Sequence, residues 1–132
     1  MKSLFMSVVF AALTAFTFSH VAQAATEVTD QNYKQTLDAP ILKGESVVVV
    51  FYANWCPHCK NFEPMVAAAE KKFKNVKFTR IDVDKNPMLS SRIRGLPTMM
   101  LVKGKKIVGI LEGEAPSQEA LEQTLQKVFG NK

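Results

Sequence analysis

This chain is poor in the residues that build metal centres and disulfide frameworks. Its 132 residues include two cysteines, two histidines and one tryptophan. His20 sits near the N-terminus, so beyond residue 24 the only histidine is His58. A structural zinc site needs four N, S or O ligands, and a small stapled scaffold needs several bridges. Two cysteines and one histidine fall short of both, unless carboxylates or a second chain contribute. Long apolar runs are equally scarce. Only Leu4 to Phe18 approaches one, and it is short beside the roughly 20 residues of a full bilayer span. There is no internal repeat, no low-complexity tract and no Asn-x-Ser/Thr acceptor. One domain with one core is what remains.

The N-terminal run reads as an export signal. Lys2 supplies a minimal positive region, the apolar stretch follows, and His20-Val21-Ala22-Gln23-Ala24 places small residues at −3 and −1 of a cut after Ala24. The alternative is an uncleaved anchor, which the short run and the Ala-x-Ala pattern disfavour. Removing the first 24 of 132 residues leaves 108, residues 25–132, enough for a single domain. Export implies a compartment where disulfides persist. With no glycosylation acceptor and no C-terminal retention signal, the bacterial periplasm is the expected location, and a eukaryotic secretory source is the alternative.

Without Lys2 the chain keeps 16 basic and 12 acidic residues, a formal +4. Lys71, Lys72, Lys74, Lys77 and the Lys103-Lys105-Lys106 cluster carry much of the excess. No aromatic residues interleave them, so they read as a solvated face. Nucleic acid is not an expected partner; weak steering of acidic partners is.

What is present is concentrated at Cys56-Pro57-His58-Cys59. The motif follows the strand-like run Val47-Val48-Val49-Val50-Phe51-Tyr52 and opens a helix. Pro57 suits a first helical position, because its fixed φ fits there and its missing N–H is not needed. Cys56 is thereby placed at the N-cap, with unpaired backbone N–H groups and the positive end of the helix dipole at its sulfur. Such a site favours the thiolate, which is the reactive form. A stapling role fits poorly, since so short a loop stabilises by only about 2 kcal/mol on a chain-entropy estimate. Redox chemistry is the favoured reading. A metal or cluster held between two chains and an inert bridge are the alternatives.

Around the motif the elements follow from periodicity. Glu27-Val28 begins a short edge strand, and Asp30 to Leu37 a short helix ended by Asp38-Ala39-Pro40. Ser46 to Ala53 is a central strand covered on both faces. A helix runs from Pro57 to about Phe73, with Phe62, Met65, Val66, Ala69 and Phe73 as its buried stripe and a kink expected at Pro64. Val76 to Val83 is the next strand, and Asn86-Pro87 opens a short helix through Arg92. Thr98 to Val102 and Ile107 to Leu111 form a hairpin. Ser117 caps a last helix with the stripe Leu121, Leu125, Val128 and Phe129, stopped by Gly130. The fold class is α/β: a mixed central sheet with helices on both faces.

With that order established, residues 26–132 resemble the thioredoxin fold. The likeness is carried by Phe51-Tyr52-Ala53-Asn54-Trp55-Cys56-x-x-Cys59-Lys60, by Pro64, by Asp82-Val83-Asp84-Lys85-Asn86-Pro87, by Gly95-Leu96-Pro97-Thr98 and by Gly113. The resemblance implies a thiol–disulfide oxidoreductase acting on protein thiols and disulfides, as a monomer, with the Cys56–Cys59 disulfide as its only redox group and no other cofactor or metal. Cys56 would be the exposed nucleophile that forms the mixed disulfide, and Cys59, one turn deeper, the residue that resolves it. Their i, i+3 spacing is compatible with the roughly 4.4–6.8 Å Cα separation that a disulfide needs. Trp55, Leu96 and Pro97, the last in the cis form, would line the substrate groove. Two departures stand out. Val50 occupies the position of a buried acid thought to exchange the proton of the second cysteine, so water or another group must serve. Leu96 replaces a more usual β-branched residue, which bears on substrate preference.

The direction of electron flow is drawn two ways. Pro57-His58 resembles the dipeptide of the oxidising DsbA-type enzymes, and a partly charged His58 in the first turn would stabilise a Cys56 thiolate. Each unit of thiol pKa depression below ambient pH is worth about 1.4 kcal/mol, or about 30 mV. Three units therefore cover about 90 mV of the gap between thioredoxin, about −270 mV, and DsbA, about −120 mV. An intermediate to oxidising potential is expected. Against this, DsbA-type proteins carry an inserted helical domain for which this chain has no room. The bare domain resembles exported reductases fed by a membrane redox partner. A non-catalytic module that docks an extended strand beside Trp55, Leu96 and Pro97 is the third possibility.

Overall fold

The computed structural model describes residues 25–130; the expected leader, 1–24, and residues 131–132 lie outside it. Five strands form one sheet: β1 (Thr26–Glu27), β2 (Ser46–Tyr52), β3 (Val76–Asp82), β4 (Thr98–Lys103) and β5 (Lys106–Glu112). Their order across the sheet is β1-β3-β2-β4-β5. β1 and β2 both run parallel to β3, whereas β4 is antiparallel to β2 and β5 to β4. The sheet is mixed, as the sequence predicts.

β2 lies at the centre because its apolar run serves two cores at once. Side chains alternate across a strand. Val48 and Val50 accordingly join Phe62, Val66, Phe78, Met99, Leu101, Leu121 and Leu125 on one face. Val47, Val49 and Phe51 join Val28, Ile81 and Val102 on the other. The first face is covered by α2 (Pro57–Lys72) and α3 (Gln118–Phe129). On α2 the buried residues Phe62, Val66 and Ala69 fall at helical spacing, and the helix continues through Pro64. On α3 Ser117 Oγ accepts from the Ala120 N–H at 3.1 Å, and Leu121 and Leu125 are buried. Each such side chain contributes about 1.5–3 kcal/mol when fully buried.

The second face departs from expectation in two places. The helical stretch there does not stop at Asp38-Ala39-Pro40. A π-helical turn, Lys34–Asp38, passes directly into α1 (Ala39–Leu42), with Pro40 in its first turn. Proline is tolerated in a first turn, so the signal for an end acts here as a signal for a fresh start. Tyr33, Leu37 and Ile41 pack together on the core. The helix expected from Asn86-Pro87 to Arg92 is absent: residues 87–92 form turns. Asn86 is buried, and its side chain is committed elsewhere. Its Oδ1 accepts from the Asp30 N–H at 2.8 Å, and its Nδ2 donates to the Asp82 carbonyl at 2.9 Å. The Asp30 carboxylate in turn accepts from the N–H groups of Met88 and Leu89, both at 3.1 Å. Asp30 thus serves the first N–H groups of the segment in place of an Asn86 cap, and the chain continues as turns after the Ser90 N–H bonds the Asn86 carbonyl at 3.1 Å.

The hairpin forms as predicted, with Gly104 (φ 59°) and Lys105 (φ 67°) as a two-residue turn. Positive φ at both positions is what a type I′ turn requires.

Candidate active site

Three chain segments meet at the C-terminal end of β2. The first is the strand-to-helix turn. Cys56 has extended backbone angles (φ −85°, ψ 111°) and caps α2, with Pro57 at the first helical position. Its Sγ accepts from the Cys59 N–H at 3.2 Å. Cys56 and Cys59 are joined by a disulfide, their Cα atoms 5.2 Å apart. Both are buried, at 4% and 6% exposure, so Cys56 is not the exposed residue that the resemblance implies: the disulfide and the packing of Leu96 cover it. The sulfur of Cys56 therefore already has a backbone donor and the positive end of a helix at the place where negative charge appears on reduction.

The second segment is Gly95-Leu96-Pro97-Thr98. The Leu96–Pro97 peptide bond is cis, and Leu96 packs against the group formed by Ala53, Cys56 and Cys59. Pro97 is buried, and its carbonyl accepts from the Gly113 N–H at 2.8 Å. Thr98 Oγ1 donates to the Gly95 carbonyl at 2.7 Å. These contacts bring Leu96 and Pro97 to the disulfide, as the sequence predicts.

The third segment follows β3. Trp55 is not a core residue; it is 67% exposed. Its Nε1–H donates to Asp84 Oδ2 at 2.8 Å. The Asp84 N–H donates to Asp82 Oδ1 at 3.0 Å, and Asn54 Nδ2 donates to Asp82 Oδ2 at 3.5 Å. The indole is thus held beside the disulfide by a chain of acids rather than by packing. His58 is exposed as well, and its Nδ1 lies 2.9 Å from Glu114 Oε1. Asp82, Asp84 and Glu114 were not singled out as site residues from sequence. Their partners lie 28, 29 and 56 positions away, and no local pattern reports such contacts.

Beneath the disulfide lies a cavity of about 240 Å³, lined by Val50, Cys59, Phe62 and Val66 among others, with Glu63, Glu70 and Arg80 also on its wall. Val50, where the family resemblance puts an acid, lines this space together with Cys59. Arg80 is clasped at the rim: its Nε donates to Glu27 Oε2 at 2.6 Å and an Nη to Glu63 Oε1 at 3.3 Å. Tyr52 donates its hydroxyl to Glu27 Oε1 at 2.8 Å, with the guanidinium 4.9 Å from its ring centroid. Burial, reinforced by the hydrogen bond to Glu27, holds the Tyr52 phenol well above its ordinary range. It stays protonated throughout the physiological range.

Known proteins resemble this chain in sequence and fold. The sequence profile described as Thioredoxin matches residues 24–127. Thioredoxin 1 of a Nostoc species is 35% identical over 108 residues, covering 79% of this chain and 96% of that protein. Human protein disulfide-isomerase A6 is 39% identical over 98 residues, covering 68% of this chain but 20% of that longer protein. Among solved structures, a mutant thioredoxin from Halobacterium salinarum superposes with a TM-score of 0.68 at 28% identity, covering 79% of this chain and 89% of that one. Fold, buried disulfide and sequence all converge: the chain belongs to the thioredoxin family and is a thiol–disulfide oxidoreductase.

Proposed function

We propose that this oxidoreductase works outside the cytoplasm, in the periplasm or a secreted milieu, after cleavage near Ala24. There it exchanges disulfides with protein substrates at an intermediate to oxidising potential. Cys56 attacks or is attacked, and Cys59 resolves the mixed disulfide. Trp55, Leu96 and Pro97 form the wall against which an extended substrate lies. The Cys56–Cys59 pair is the sole redox group, and a membrane redox partner resets it. The observation that carries this reading is the cap: the Cys59 N–H, Pro57 at the first helical position and the helix dipole all favour the Cys56 thiolate.

A second reading, that of a reductase fed by a membrane donor, is supported by the plain succession of elements from β1 to α3. Among the described residues no helical domain is inserted. The two directions separate in one experiment: equilibration of the Cys56–Cys59 disulfide against a glutathione series, followed by Trp55 fluorescence. A potential at or above about −180 mV supports the oxidising role, and one near about −250 mV or lower assigns the reductase instead.

A further inference from the structure

His58 is the residue expected to push the disulfide toward oxidation, yet its imidazole is engaged by a carboxylate from another element. His58 stands in the first turn of α2, and Glu114 lies between β5 and α3, 56 positions along the chain. Glu114 is not placed at random. The preceding residue, Gly113, gives its N–H to the Pro97 carbonyl at 2.8 Å, which ties this segment to the cis-proline loop beside the disulfide.

A carboxylate only accepts hydrogen bonds, so the hydrogen of the 2.9 Å contact belongs to Nδ1. Two protonation states follow. In the neutral ring, a hydrogen on Nδ1 leaves Nε2 bare, with nothing to donate to a thiolate. In the imidazolium, the positive charge touches a negative one, and the pair presents a dipole rather than a charge. Compared within the same protonation state, the help that His58 gives a Cys56 thiolate is reduced.

We propose that Glu114 is a positioning residue that engages His58 and offsets its charge, keeping the disulfide less oxidising than Cys-Pro-His-Cys alone implies. The proposal rests on Cys56 and Cys59 acting as the redox pair. It also reconciles an oxidant's motif with a reductant's plain domain, since a single carboxylate opposes the motif.

The test is a double-mutant cycle in the full protein: wild type, Glu114→Gln, His58→Ala and the double variant. Each is equilibrated with glutathione, and the Cys56 thiol is titrated by its ultraviolet thiolate absorbance. Both side chains are partly exposed, at 68% for His58 and 32% for Glu114. The expected effect is therefore about threefold, the scale of an exposed charge pair. Glu114→Gln shifts the equilibrium toward reduced protein and moves the thiol titration to lower pH, and high salt shrinks both changes. His58→Ala acts in the opposite sense, and more strongly in the Glu114→Gln background than in the wild type. Glu114→Asp, which keeps the charge, stays nearer the wild type. Additive effects in the cycle, or a Glu114→Gln shift toward oxidised protein, overturn the proposal. A wild type that never exchanges with glutathione overturns the redox reading itself, which is a separate result.

Discussion

The two sulfurs share a bond but not an environment. Cys56 sits at the mouth of the site, beneath exposed polar side chains: Trp55 held by Asp84, and His58 held by Glu114. Cys59, one helical turn further in, borders a cavity whose inner wall is Val50, Phe62 and Val66, with charged groups at its rim. The mouth can tune its cysteine through hydrogen bonds and charge. The floor surrounds its cysteine with an apolar wall and charged groups at the rim. The proposed attack at Cys56 and resolution at Cys59 fit this difference in surroundings.

The largest effect that probes this contrast comes from removing one sulfur at a time. Cys56→Ser should abolish disulfide exchange and form no adduct. Cys59→Ser should accumulate mixed disulfides with protein thiols, seen as mass-shifted species that a reductant releases. Adducts on the Cys56→Ser variant instead would reverse the division of labour.

Next comes the floor. Val50→Asp places a carboxylate against Cys59 in a largely apolar chamber. Burial raises the pKa of such an acid, so the variant should be nearly tolerated where the acid is protonated. It should lose stability as pH rises through the raised value, by about 2–4 kcal/mol at neutral pH. Urea unfolding at acidic and neutral pH measures the difference. A loss independent of pH would mean that the chamber is wet enough to hydrate a carboxylate.

The smallest effect concerns Glu70, further along the same helix face. Burial pushes its carboxyl up. A folded-state pKa above the unfolded one contributes stability at acid pH that is lost as pH rises through the folded value. Glu70→Gln should therefore be more stable than the wild type at neutral pH by a few tenths of a kcal/mol, because this carboxyl is only partly buried (~0.3 kcal/mol). The gap should close below the ordinary carboxylate range, as denaturant midpoints across pH would register.

Much of this was legible from local pattern. The run Val47 to Phe51 announced a strand buried on both faces, Pro57 and Ser117 marked helix starts, and Gly104 marked the hairpin. Cys56, Cys59, Leu96 and Pro97 are together where the resemblance put them. What stayed hidden depends on side chains reaching across the fold. Asn86-Pro87 has the form of a helix start, but Asn86 holds Asp30 and Asp82 instead. Pro40 has the form of a helix stop, but it opens a new turn. Trp55 could have been core or surface until Asp84 was seen to hold it. His58 carried its expected influence without Glu114, which nothing within 50 residues of it would suggest. Local propensity survives into the structure where packing agrees with it, and yields where a distant partner offers a better hydrogen bond.

The Asp30 and Asn86 contacts have a further consequence when the connection between β3 and β4 is regarded as a polymer. Residues 83–97 form a long loop, and its far end carries Leu96 and Pro97. The free-energy cost of closing a loop rises only by about 0.6 kcal/mol for each doubling of length, but its freedom to wander rises with every unpinned residue. Asp30 fastens Met88 and Leu89, and Asn86 is fastened to Asp30 and Asp82. One long tether becomes a short anchored leg followed by a second of a few residues. The proposed substrate face is thereby moored to the sheet edge where β1 ends, through an aspartate 26 residues ahead of the first cysteine.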